Sequence, residues 1–160
     1  MTITSALPVE FINPFIKALG DTLRVMVGIN PVRKSPYIKE NLLALYPMSG
    51  IISLSGKVVG TVVVTMTDKL ALKIASEMLM CPMTEINADV MDAVGEITNM
   101  VAGNAKAKLE KYELRLGLPN VIHGTDTDIL FPEESHPMTI PFETEFGDVA
   151  IEVGFSLKNL

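Results

Sequence analysis

Residues 9–27, VEFINPFIKALGDTLRVMV, bring Phe11, Ile12, Phe15, Leu19, Leu23 and Met26 to one side when successive residues turn by 100°. That spacing predicts an amphipathic helix, with Pro14 in or near its first turn, where a missing N–H costs least. Residues 33–47 keep no single period. Ser35-Pro36-Tyr37-Ile38 reads as extended, while ENLLALY fits helix or strand. The β-rich runs SGIISLSG and VVGTVVVTM follow, joined through Ser55-Gly56-Lys57, and predict a hairpin. Asp68 is a candidate N-cap for a helix over KLALKIASEMLM that ends near Pro82. A long helix is expected from Asn87 to about Tyr112, then an extended piece at Pro119 and the polar loop TDTDILFPEESHP. The chain closes on a second hairpin, turning at Gly147-Asp148.

This order of elements repeats. A helix over 9–27, an extended piece at Pro36 and a hairpin around Gly56 form one unit. The helix over 87–112, the extended piece at Pro119 and the hairpin around Gly147 form another, with helix 68–80 between the copies. The fold class expected is therefore α+β: duplicated helix–strand–hairpin units, long helices packed on an antiparallel sheet, in a single domain over 1–160.

The long helix has two characters. With Ile97 as the reference direction, Val90, Ala93, Val94, Met100, Val101 and Asn104 fall near it and predict the buried stripe. Asp92, Glu96, Asn99 and Gly103 gather roughly 130° away. Glu96 and Asn99, three apart, emerge on one surface patch. Taken alone, the pair reads as a solvated face, Gly103 as a packing accommodation, and Asn104 as satisfying backbone groups in the core. Gly95 and Gly103 on one helix leave room for a second element, from this chain or a partner, to come close to the helix backbone.

Composition narrows the classes of function. The net charge of −6 excludes a nucleic-acid binder built on phosphate neutralisation. Apolar residues make up 48% and charged ones 20%, which suits a folded domain of this length with a real core. The single Cys81 rules out an internal disulfide and fits a reducing compartment; beside Pro82 it reads as a small core or turn residue. The start MTITSALPVEF lacks the basic and apolar regions of a leader, and every apolar run is broken by charge too early to span a membrane. A cytoplasmic protein is expected. His123, Asp126, Asp128, Glu133, Glu134 and His136 share no metal-ligand spacing and read as a solvated loop.

Five segments, INPFIKAL, SGIISLSG, ALKIASEML, DAVGEITNMVAGNAKAKL and IPFETEFGDVAIEV, resemble in order those of the CheX chemotaxis phosphatases of the CheC-like group. The sharpest likeness is Glu96-x-x-Asn99 within GEITNMVAGNAKA. The family's duplicated α+β fold agrees with the repeat. The resemblance implies hydrolysis of the aspartyl phosphate of a CheY-like response regulator. Asn99 would orient the attacking water and Glu96 would pair with the partner's active-site lysine; Asp92 and Gly103 are expected on the docking face by their place on the helix, not by the resemblance. It implies no metal or cofactor on this chain, Mg²⁺ in the partner receiver, and a homodimer formed through edge strands. Residue types fit these roles: an acyl phosphate is already activated, so positioning is what a helper supplies, and a carboxamide holds water while staying neutral beside an anion. Glu10 and Asn13 repeat the spacing in the first helix, but Pro14 follows, Asn13 reads as an N-cap, and CheX-type members are expected to use the second motif alone. The alternative is a non-catalytic module on the same fold that docks a receiver or a motor component.

Overall fold

The computed structural model describes residues 9–157. The amino-terminal segment, read above for a leader, lies outside that range except for its last three residues. Helix α1, Val9–Val27, buries Phe11, Ile12, Phe15, Leu19 and Leu23, while Met26 stays on the rim. Pro14 is the sixth described residue of α1, deeper than the first turn, so it offers no N–H to the carbonyl of Glu10. Two short strands follow, β1 (Val32–Arg33) and β2 (Tyr37–Ile38), then the hairpin β3 (Met48–Ser55) and β4 (Val58–Met66). Between β2 and β3, the segment ENLLALY is neither helix nor strand; it crosses as a loop held by one bridge, Leu43 to Asp128.

Helix α2, Asp68–Leu79, is capped by Thr67, one residue before the expected Asp68. The Thr67 hydroxyl oxygen accepts from the Leu70 N–H, which leaves the Asp68 carboxylate in the first turn to meet His123 at 2.9 Å. Met80 closes the helix in the left-handed conformation, and Cys81 follows it exposed in the turn rather than in the core. Helix α3, Ala88–Lys106, is capped by Asn87, whose side-chain oxygen accepts from the Val90 N–H at 3.0 Å. It ends a turn and a half before Tyr112; Glu110–Tyr112 form a separate 3₁₀ turn. Strands β5 (Arg115–Leu116), β6 (Asn120–His123), β7 (Met138–Thr144) and β8 (Gly147–Leu157) complete the chain. The last hairpin turns at Glu145-Phe146, two residues before the predicted position, with Gly147 opening β8 at φ 133°.

The eight strands form one antiparallel sheet in the order β1-β7-β8-β4-β3-β5, with β2 also on β7 and β6 also on β3. The duplication is thus interleaved. Each unit's short extended pieces pair with the other unit's hairpin, and the two hairpins meet along β4–β8, from Val58–Leu157 to Met66–Val149. All three helices bury their apolar stripes on one face of this sheet. Val62, Val64, Ile151 and Val153 are fully buried there, and Phe11 stacks edge-on against Phe155 with ring centres 4.2 Å apart. The other face carries a smaller apolar cluster, Ala44, Val63 and Ile129, beneath the two long loops.

Candidate functional site

The rotation of α3 on the sheet decides which of its side chains face outward. Val90, Val94, Ile97 and Val101 are buried as the stripe predicts, and so are Gly95, Thr98, Ala102 and Ala105. Thr98 seats the helix. Its hydroxyl donates back to the Val94 carbonyl at 2.8 Å, and it lies over Gly50 of β3 so closely that a methyl group there would sit 2.0 Å from its oxygen. Only glycine at position 50 permits that approach. With Thr98 pinned inward, its neighbour Asn99 and the residue one turn back, Glu96, project into solvent.

Asp92, Glu96 and Asn99 are exposed and Gly103 is half-buried, so the four residues share one open face of α3. Among the described residues, no hydrogen bond or ion pair engages Glu96 or Asn99. Glu96 and Asp92 border a shallow groove whose far wall is Pro119–Val121. Its geometry depends on Gly95: a methyl group there would stand 3.3 Å from Val121, so glycine lets β6 pack against the helix beside Glu96. Gly103 differs, because nothing lies within 4 Å of where its methyl group would be. Of the two glycines, one serves the chain's own β6 and the other leaves open surface next to Asn99. Asn104 is not in the core; it is exposed and donates to the Thr22 hydroxyl of α1 at 3.2 Å. The interhelical contact runs past the residue that periodicity placed in the stripe.

The first-helix pair is held otherwise. The Glu10 carboxylate accepts from the Lys111 ammonium at 3.2 Å and from the Tyr112 hydroxyl at 3.3 Å. This hydrogen bond and charge hold Lys111 above the usual lysine range. Asn13 is exposed, with Pro14 directly after it. Measured back from each helix's last residue, Asn13 lies fourteen residues before Val27 and Asn99 seven before Lys106, so the two pairs sit two turns apart on their helices. Pro119 and Val121 escaped the sequence reading of the site; their contact with a helical glycine is a tertiary fact that periodicity does not carry. No three His, Cys, Asp or Glu side chains converge as a metal site among the described residues, and no described helix is long and apolar enough to cross a membrane.

Known proteins resemble this chain over most of its length. The family model described as chemotaxis phosphatase CheX matches residues 48–143, a stretch that includes all of α3. The CheY-P phosphatase CheX of Thermotoga maritima is 25% identical over 123 residues, 75% of this chain and 79% of that protein. A CheC-like superfamily protein from Shewanella sp. PV-4 superimposes with a TM-score of 0.85 at 33% identity, over 94% of this chain and 99% of its own. The fold also matches the CheX of a CheX–CheY–BeF₃–Mg²⁺ complex from Borrelia burgdorferi, at a TM-score of 0.76 and 22% identity, over 92% and 99% of the two chains.

Proposed function

The chain belongs to the CheX family of chemotaxis phosphatases, and from that premise we propose that it hydrolyses the aspartyl phosphate of a CheY-like response regulator by presenting Glu96 and Asn99 to the regulator's active site. The observation that carries this reading is the pair itself: a carboxylate and a carboxamide, one turn apart, exposed and unengaged among the described residues on a helix seated firmly by Thr98 and Gly50. A rigid helix suits the task, because what an activated acyl phosphate lacks is a positioned nucleophile. The Asn99 carboxamide would accept one water proton as a hydrogen bond and aim the oxygen in line with phosphorus. Water adds to phosphorus, the P–O bond to aspartate breaks, and inorganic phosphate and the free carboxylate leave. Being neutral, Asn99 does so without repelling the phosphoryl oxygens. Glu96 would pair with the receiver's lysine and set the register of the helix.

On this reading the chain brings no metal of its own; Mg²⁺ belongs to the receiver and neutralises charge there. The open surface at Gly103 and the exposed Asp92 would lie against the receiver beside the pair. The relative from Thermotoga maritima is named a CheY-P phosphatase, and the Borrelia neighbour is a CheX bound to CheY; both support the choice of partner. The reading extends to a homodimer through an edge of the sheet, supported by the exposed Val32 and Ile38 on the short edge strands β1 and β2. Light scattering of wild type and of Ile38→Lys tests that part. A dimer that Ile38→Lys splits is expected, and a wild-type monomer would refute it.

The activity is tested by following the decay of phosphorylated CheY-like receivers with and without the protein. Accelerated decay of at least one receiver is the expected result. Binding without acceleration would leave a docking module on the same fold.

A further inference from the structure

The sheet edge beside Glu96 is interrupted by a β-bulge. Leu116 of β5 pairs with Leu54 of β3, and Asn120 of β6 pairs with Ile51 of the same strand. Three residues, Gly117-Leu118-Pro119, therefore stand opposite two, Ile52 and Ser53. The Gly117 N–H donates to the Ser53 carbonyl at 2.8 Å and fixes the start of the bulge. Leu116 and Val121, five apart, both pack into the core beneath the helices. An odd separation brings two side chains to one face of a strand only when an extra residue intervenes. That extra residue leaves Leu118 at the tip of the bulge, 89% exposed.

Two tasks of the bulge are internal. It returns Val121 to its place against Gly95, and it guards an exposed edge against pairing with another chain. Neither task needs a large apolar side chain at the tip, where a serine or lysine would be better solvated. Leu118 adjoins the groove of about 590 Å³ between α3 and β6. Pro119, the next residue, forms the far wall with Val121, and Ala88, Met91 and Gly95 continue the apolar lining on the helix. Asp92 and Glu96 make one rim acidic, and the exposed Asn120 adds a neutral amide on the other.

We propose that Leu118 and this groove form the second half of the receiver docking surface, occupied by the stretch of receiver chain that carries its active-site lysine. The inference rests on the phosphatase reading. Asn99, Glu96 and Asp92 follow one another at successive turns toward the start of α3. With Asn99 at the phosphoryl group and Glu96 on the lysine, the chain bearing that lysine continues over Asp92 and the groove. The groove matches such a segment in both of its characters. Its acidic rim complements the lysine, and its apolar walls with Leu118 take an adjoining apolar side chain. The Asn120 carboxamide can donate to and accept from the backbone of the same segment. Leu118 is thus a positioning residue, in contact with the receiver and not with the reacting atoms.

The test is Leu118→Ser in the full chain, with Leu130→Ser as the control, since Leu130 is 76% exposed on the opposite face of the sheet. Affinity is measured by calorimetric titration of a CheY-like receiver charged with beryllofluoride and Mg²⁺. Dephosphorylation is measured against receiver concentration. Leu118→Ser is expected to weaken affinity and raise KM about tenfold, the effect of one lost leucine contact, with kcat unchanged. Leu118→Met should restore both values. Salt should leave the Leu118→Ser deficit in place, unlike that of Glu96→Ala, because no charge is screened. Leu130→Ser should behave as wild type. Unchanged affinity and KM in a folded Leu118→Ser, an equal loss in Leu130→Ser, or a fall in kcat at constant KM would each overturn the proposal and leave the phosphatase reading standing. Wild type that binds the charged receiver without speeding decay would overturn the phosphatase reading, and the affinity of Leu118→Ser would still decide the docking surface. No binding by wild type to any receiver would overturn both.

Discussion

Helices α1 and α3 lead the two copies of one structural plan, and each carries a Glu-x-x-Asn, yet the two pairs are held in opposite ways. In α1 the carboxylate is occupied by Lys111 and Tyr112, and proline follows the asparagine. In α3 the carboxylate and carboxamide are unengaged among the described residues, and the helix beneath them is locked by Thr98 over Gly50. What differs is not the motif but its surroundings: a polar pair acts on another molecule only when its own chain leaves it free and holds it still. Equal spacing in sequence carries neither condition.

The largest effect is expected from truncating the two asparagines in turn. Asn99→Ala should lower receiver dephosphorylation by about 10²–10³-fold, the usual cost of losing one preorganised polar group. Asn13→Ala should leave it unchanged, with circular dichroism showing both variants folded. The two glycines of α3 make the next contrast. Gly95→Val forces a branched side chain into the space 3.3 Å from Val121 and should destabilise the fold by about 1–3 kcal/mol in urea unfolding. Gly103→Ala meets nothing within 4 Å and should stabilise α3 by up to about 1 kcal/mol, while loosening receiver binding if the partner closes on that surface. Glu96→Ala should weaken receiver affinity as well as rate, and its deficit should shrink as salt rises, because salt screens the pairing in the wild type. The smallest effect is expected at Glu10→Ala: no change in dephosphorylation and a slight loss of stability, since the pairing with Lys111 is exposed. Because Glu10 raises the Lys111 pKa, that small difference from wild type should be present at neutral pH and vanish as pH climbs through the lysine range.

Much of the architecture could be read from periodicity. The apolar stripes of α1 and α3, both hairpins and the order that reveals the duplication all follow from local spacing, and the structure has them. Errors gathered where tertiary contacts overrule local signals. Thr67 rather than Asp68 caps α2, the Asp68 carboxylate instead meeting His123, and Asn104 leaves the stripe to reach Thr22. Residues 40–46 fit helix and strand equally by local pattern, because the loop is tied by Lys39 reaching Glu152, far along the chain. At the site, the exposure of Glu96 and Asn99 on one face was legible from helical angle. The close contact between Gly95 and Val121 was not, nor was the engagement of Glu10 by Lys111, because each joins segments remote in sequence. For the same reason, nothing in the pattern of β8 announced Glu152, a lone carboxylate in an apolar run.

On the proposed function, catalysis resides in the α3 pair and not in its α1 counterpart. The most direct measurement is the first-order decay of one phosphorylated CheY-like receiver with wild type, Asn13→Ala and Asn99→Ala at equal concentration. Wild type and Asn13→Ala are expected to accelerate decay alike, while Asn99→Ala returns it close to the receiver's own rate. Full acceleration by a folded Asn99→Ala, or its loss in Asn13→Ala, would contradict it.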